Sequence, residues 1–559
     1  MGNLHRGASR RSLPVLLAGA CALFSGCGGS SGTAAGPPDT YSVGGTVSGL
    51  GTGTQLALLD NGQDALMVSA SGAFTFPTRL AAGSRYTVAV QRQPRGFSCA
   101  VSNGSGVVGA APVASVRVAC GASVFTVGGV VSGLDGTGLV LANGSTVVAV
   151  PANAGSFSLP GSFASGASYD VIVTAHPPGH RCSITQGSGV VGTANVSNIM
   201  VACVPGAESV LHAFPDASAD GATPYGTLLR GSDGALYGLT FSGGANGLGT
   251  AFRIAADGTE TVLHAFGAGS DGANPHGSLL QASDGNFYGV TAFGGDYGHG
   301  VVFELTPAGD ESVLHSFGSG AGAQDPYGTL LQASDGNFYG TSLHGGAHGL
   351  GAVFMIRPDG SELVLHSFGA GNDGQTPAGS LVLGSDGNLY GMSTAGGGFG
   401  YGVIFVMTLQ GAETVLHSFG SGGDGASPTG TPILASDGSF YALTSAGGSN
   451  GRGAAIRFSS DGSETVLVSF GAGNDGASPG GDLLQASDGN FYALASAGGS
   501  NGAGAVLQIS PAGAESVLYS FGGGADGQAP FGSLIEGPDA ALYGMTSGAR
   551  AGGTAFRID

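Results

Sequence analysis

The sequence predicts an all-β protein: a seven-bladed β-propeller closed by an N-terminal strand, preceded by two tandem β-sandwich modules. Three observations carry this. Glycine supplies 112 of 559 residues without a G-X-Y period, so it serves tight turns between short strands, where only glycine takes positive φ without strain. Val-Leu pairs recur at Val210, Val262, Val313, Val364, Val415, Val466 and Val517, a period near 50 that belongs to blades or solenoid rungs. A hydrophobic share of 42% with only 9% charged residues is too apolar for a disordered acidic chain. The formal charge is −20 and every basic residue is arginine. Such a chain makes a poor polyanion binder, and nucleic acid is excluded as a partner.

Residues 1–26 read as a lipoprotein-type signal peptide. Arg6, Arg10 and Arg11 form a basic start, followed by an apolar stretch from Leu13 to Phe24. That stretch is too short to span a bilayer as a helix but suits an export signal. Leu23-Phe24-Ser25-Gly26-Cys27 resembles a bacterial lipobox, with Phe24 where that motif usually has Leu. The resemblance implies lipidation of Cys27 and a membrane anchor; Cys21 is the weaker candidate. Residues 27–40, rich in Gly and Ser, read as a flexible tether. The expected location is the bacterial cell envelope, lipid-anchored at the outer membrane or cell surface, or the medium after secretion.

Residues 41–121 and 125–204 form two copies of one module. Tyr41 to Leu50 (YSVGGTVSGL) returns as Phe125 to Leu134 (FTVGGVVSGL), and each copy continues through alternating strands and a GSGVVG turn. Period-2 alternation with turns every eight to twelve residues marks a β-sandwich. Cys99 and Cys120 are 21 residues apart, as are Cys182 and Cys203. In an exported chain this spacing predicts one disulfide per module. The modules carry no catalytic constellation and read as spacers, with carbohydrate or protein adhesion as the alternative.

From residue 209 onward one copy of the repeat shows the logic. Gly328 to Ala333 is an innermost strand, and Ser334-Asp335-Gly336-Asn337 is a turn whose Asp-Gly supplies the positive φ of a tight hairpin. Phe338 to Thr341, Ala352 to Ile356 and Leu363 to Phe368 supply three more strands. Four antiparallel strands with both faces apolar make a blade. The innermost strand is expected to open at Gly226, Gly277, Gly328, Gly379, Gly430, Gly481 and Gly532. The chain ends after the seventh third strand, Thr554 to Ile558, while a spare outer strand, Ser209 to Phe214, precedes the first blade. Pairing the two closes a seven-bladed ring and leaves no open sheet edge. The repeat (VLHSFG, DGxxPxG, SDGN, then a GG-rich loop) resembles the GloVer-type choice-of-anchor tandem repeats of exported bacterial proteins. The resemblance covers residues 209–559 and implies a surface or secreted propeller. It brings no activity and no catalytic residues.

Three sets of side chains remain. The histidine of VLH occurs at His212, His264, His315, His366 and His417 but is Val468 and Tyr519 in the last copies, which points to packing on an outer strand. The turn aspartates, such as Asp233, Asp335 and Asp488 in SDG and Asp220, Asp271 and Asp373 in DGxxP, have a turn-forming explanation. Calcium at these loops is an open alternative, without an EF-hand pattern; no metal site and no cofactor are assigned. Next to the innermost glycines stand Thr227, Ser278, Thr329, Ser380, Thr431, Asp482 and Ser533, a candidate ring around the central channel. The loops of one face offer Tyr225, Phe241, His276, Phe293, Tyr297, His299, Tyr327, His344, His348, Phe399 and Tyr401 in the first four blades. The last three blades carry mostly small residues there, such as Thr429, Asn450 and Gly480. Aromatic and imidazole rings on adjacent loops suit stacking against sugars or a protein partner.

These patterns favour a lipid-anchored surface protein whose propeller is a binding or interaction scaffold for a glycan or protein. The rival is a propeller hydrolase or lyase acting on polysaccharide or lactone at the channel mouth, which needs a converging acid–base pair beyond Asp482. A purely structural envelope protein is the third reading.

Overall fold

The computed structural model describes residues 38–559 except 178, 216–218, 319, 421–422, 474, 523–524 and 549–551. The signal peptide, Cys27 and residues 28–37 of the tether lie outside the described residues. The described residues form strands and turns, and no helix is long and apolar enough to cross a membrane. They pack as two compact units, one ending at Ala122 and the other running from Ser123 to Asp559.

The first unit is a sandwich of two four-stranded sheets. One orders Gly72–Thr75, Val43–Ser48, Val113–Ala122 and Phe97–Ser102; the other orders Asp64–Val68, Leu56–Asp60, Arg85–Arg92 and Ser105–Val107. Strand Arg85–Arg92 shows the cause: Tyr86 and Val88 turn into the core while Arg85 and Thr87 face solvent. The second unit begins with the same sandwich, its sheets built on Val127–Ser132 and Ser168–Ala175. Both expected disulfides are present, Cys99–Cys120 and Cys182–Cys203. Each joins residues directly opposite on antiparallel neighbours of a single sheet.

The rest of the second unit is a seven-bladed propeller. Strand Glu208–Ala213 pairs antiparallel with Thr554–Ile558, Val210 opposite Phe556, so the ring closes as its strand count requires. The outer-strand phenylalanines Phe214, Phe266, Phe317, Phe368, Phe419, Phe470 and Phe521 are all 0% exposed. Each fills the joint to the next blade, as Phe266 does against Phe303, 5.0 Å between ring centres. Within a blade, volume is traded across the sheet. Gly340 lies opposite Phe354, and a Cβ there would meet the Phe354 ring tip at 2.5 Å. Blades five and six pair Ala442 with Ile456 and Ala493 with Leu507: a smaller third-strand residue admits the extra methyl.

One expectation needs correcting. The innermost strand does not open at the repeated glycine; in blade two it spans Ala273–Gln281, and its register shifts between His276 and Leu280, around Gly277. The glycine interrupts the strand because the backbone there turns to face the neighbouring blade. Just upstream, the residues before proline (Thr223, Asn274, Asp325, Thr376, Ser427, Ser478 and Ala529) hold φ between 47° and 56°. Each of their N–H groups donates to a loop carbonyl of the preceding blade, as Asn274 does to Leu248 at 2.8 Å. Strain at this position is repaid by an inter-blade bond.

Candidate functional site

The residues after the repeated glycines do form a ring. The Thr227 N–H donates to Ser278 Oγ, Ser278 to Thr329, Thr329 to Ser380, Ser380 to Thr431, Thr431 to Asp482, Asp482 to Ser533, and Ser533 back to Thr227. The bonds other than Thr431–Asp482 measure 2.6–3.2 Å. Each side-chain oxygen therefore satisfies the neighbouring blade's backbone, while each hydroxyl keeps its O–H to donate. Burial pushes the Asp482 carboxyl above the usual carboxylate range.

These residues line a cavity of about 270 Å³ together with Tyr225, His276, Tyr327 and Phe531. The four rings form a continuous wall. His276 stacks on Tyr327 with centres 3.7 Å apart and on Tyr225 at 5.7 Å; Phe531 meets Tyr225 edge-on at 5.0 Å. Phe241 packs behind them against Tyr225. The facing positions are Ala378, Thr429 and Gly480, so one half of the cavity is aromatic and the other small. Burial lowers the His276 imidazole to about 4. Its Nδ1 accepts the Gly277 N–H, which leaves the proton of the neutral ring on Nε2.

The structure thus divides the aromatic loop residues. Tyr225, His276 and Tyr327 reach the channel. Phe293, Tyr297, Phe399 and Tyr401 do not line it and are 44–68% exposed. His299 and His344 converge on Asp325, at 3.5 and 2.8 Å, whereas His348 is exposed. Phe531 was missed by sequence reasoning. It occupies the same Pro-x-Gly position as Tyr225, but its place beside blade one appears only once the ring is closed.

The VLH histidines sit on outer strands, edge-on to the phenylalanine two residues on, as His264 does to Phe266 at 4.8 Å. Packing is only part of their role: His264 Nε2 lies 2.9 Å from Asp271, and Tyr519 reaches Asp526 in the same way at 2.9 Å. The SDG aspartates act as turn residues. Asp335 accepts the Asn337 N–H and the Tyr339 hydroxyl.

A second site of interest joins the second sandwich to blades six and seven. Arg181 is 6% exposed. Its guanidinium lies 2.7 Å from Glu536 and 3.6 Å from Asp488, and donates to the Tyr492 hydroxyl at 3.2 Å. His176 Nδ1 accepts the Cys182 N–H at 2.9 Å. Nε2 therefore carries the ring proton, and the Asn490 carboxamide, 2.7 Å away, must offer it the amide oxygen.

A closed ring of seven near-identical blades, bonded head to tail around a small cavity, defines a repeat-built propeller. The chain belongs to the Gloeobacter/Verrucomicrobia repeat family, whose model matches residues 171–399 and 378–559. No curated protein matches it in sequence. Among solved structures it is similar to a putative gluconolactonase, at 14% identity and a TM-score of 0.36, over 63% of this chain and 92% of that one. The periplasmic gluconolactonase of Pseudomonas aeruginosa gives 18% identity and a TM-score of 0.38, over 60% and 95%. A puromycin hydrolase gives 15% and 0.42, over 63% of this chain and 55% of that protein.

Proposed function

We propose that this is an exported envelope protein whose channel cavity binds a sugar residue of a glycan. The observation that carries the reading is the one-sided wall of Tyr225, His276, Tyr327 and Phe531 above a ring of hydroxyls. An aromatic face takes the apolar face of a sugar ring, and the O–H groups and Asp482 meet its hydroxyls. The disulfides fit an oxidising compartment, and lipidation at Cys27 would hold the protein at the membrane. Glycan-array binding by the exported chain tests the proposal. Tyr225→Ala and Phe531→Ala should each weaken capture by about three- to tenfold, since stacking on one ring contributes roughly 0.5–1.5 kcal/mol. Unchanged capture by both variants would sink it.

The hydrolase reading rests on one feature, a carboxyl of raised pKa inside the cavity. Among the described lining residues Asp482 is the one carboxylate, and the neutral imidazole of His276 is the second titratable group that general acid–base catalysis would draw on. Product formation on a bound glycan, abolished in Asp482→Asn, would favour that reading over binding alone.

A further inference from the structure

The blade joints carry a second repeated set of groups, on the outer strands. A glutamate opens each outer strand, and it faces the DGxxP aspartate of its own blade and the VLH histidine of the blade before. In three joints the donor atoms of histidine, aspartate and glutamate all lie within 4.8 Å of one another: His212, Asp220 and Glu260; His264, Asp271 and Glu311; His417, Asp424 and Glu464. The central joint is half-buried to buried, and its aspartate is anchored by the Gly267 N–H at 3.0 Å.

Two further observations say what these joints are built for. In all three the glutamate Oε1 is buried without a hydrogen-bond partner, although it stands beside a second carboxylate. The third joint is an internal contrast, because Gly322 replaces the aspartate there. Its glutamate, Glu362, accepts the Ala323 N–H at 2.8 Å and lies 3.5 Å from His315. The glutamate is left without a partner where the aspartate is present, and satisfied where it is not. The same orphaned Oε1 recurs at Glu208 and Glu515, where Tyr519 and Val468 stand in place of the imidazole, so it marks the carboxylate pair, and the imidazole of the other joints completes a set of three donors for a cation.

We propose that these three joints each bind a divalent transition-metal ion of the Zn²⁺ type through the histidine Nε2 and one oxygen of each carboxylate. Two carboxylates and a neutral imidazole balance the charge of a divalent ion, and imidazole selects against calcium and magnesium. Donors about 3.4 Å apart span the edge of a tetrahedron with bonds of roughly 2.1 Å. The His–Asp separations of 2.9, 3.5 and 3.4 Å bracket that value. Each ion would tie one blade to the next. Val468 and Tyr519 remove the imidazole from two other joints, so the role belongs to individual joints and not to the repeat as a whole. The His366 joint, with Asp373 and Glu413, has the same residue types and is a candidate fourth site.

The test is titration of the chelator-treated exported chain with ZnCl₂, followed by calorimetry and elemental analysis. Three to four equivalents should bind at micromolar or tighter Kd, with protons released and Tm raised by several degrees. The triple variant Asp220→Asn, Asp271→Asn, Asp424→Asn should lose three equivalents, and Asp475→Asn, at the Val468 joint, none. If the triple variant does not fold, His417→Gln alone should lose one. The proposal is overturned if fewer than one equivalent binds and Tm answers to pH alone, in which case the carboxyl pairs merely hold a proton. It is equally overturned if the variants keep full stoichiometry, or if all binding disappears with His344→Ala, which would place the ion at the His299–Asp325–His344 surface.

Discussion

The two sandwich modules are copies strand for strand, with the same disulfide in the same register, yet one forms a unit by itself and the other belongs to the propeller's unit. The difference lies next to the first cysteine. In the first module Gln93 accepts the Cys99 N–H at 2.7 Å and donates back to the Cys99 carbonyl at 3.0 Å. In the second, His176 takes the same N–H, and its other nitrogen reaches Asn490. Ser98 is exposed where the second module has the buried Arg181. The blades explain why arginine works there. Arg253, Arg457 and Arg557 each meet the turn aspartate of their own blade, at 2.9, 3.1 and 3.1 Å. Blade six has Gln508 opposite Tyr492, and the module supplies the missing guanidinium. His176 and Arg181, together with the backbone bond from the Gly179 N–H to the Val517 carbonyl at 3.1 Å, thus build the second sandwich into its neighbour.

The comparison breaks most completely if the closing strand that follows the second module is cut out. Deleting residues 209–214 removes nearly all of that strand and should cost a stability on the order of 5–15 kcal/mol, the whole of a typical domain. Equal-length deletion at 28–33 should leave Tm unchanged; matching losses would refute the closed ring. Next in size is Arg181→Ser, which copies the first module's residue. Asp488 and Glu536 would keep their burial without their cation, a loss of about 3–5 kcal/mol by urea titration. A loss under 1 kcal/mol would show that the docking rests on other contacts.

Acidification sharpens the contrast further. Burial, only partly countered by Asp488, lowers His176 to about 4, below its unfolded value of 6.5. A depressed pKa gives stability that is present above the unfolded value and lost as pH falls toward the folded one. Between pH 7 and 5 the second module should lose about 2 kcal/mol, seen as faster hydrogen exchange around Cys182 and Asn490. The first module, with Gln93, should not respond through this position, and His176→Gln should remove the response. The smallest effect is expected for the reverse graft. Gln93→His with Ser98→Arg in the first module should change its stability by no more than about 0.5 kcal/mol, because the graft brings no aspartate–tyrosine socket with it.

Much of the propeller was legible because the chain carries seven copies of one experiment. Periodicity located the strands, and their count required Glu208–Ala213 to pair with the C-terminal strand. The disulfides followed from equal spacing. What escaped was whatever depends on two copies meeting. Phe531 reads as remote from Tyr225 until the ring closes. The glutamate before each VLH strand is repeated in every copy, and that signal was available, but its relation to His and Asp lies across a blade joint. Arg181 lies 355 residues from Glu536, and nothing in a module's own pattern announces a socket on another domain. The start of the innermost strand was misplaced for a related reason: the N–H beside Gly277 is spent on the neighbouring blade, which local propensity does not see.

The hydrogen-bonded circle around the channel runs one way. Every blade gives an N–H to the next and receives one from the last, so every blade has the same head and the same tail. Nothing in those bonds counts to seven; only the angle between adjacent blades decides when the circle meets itself. Recombination between any two copies of the roughly 50-residue repeat would excise or insert a whole blade with compatible ends. Such a gene can change the size of its ring in one event, and selection need only adjust the angle.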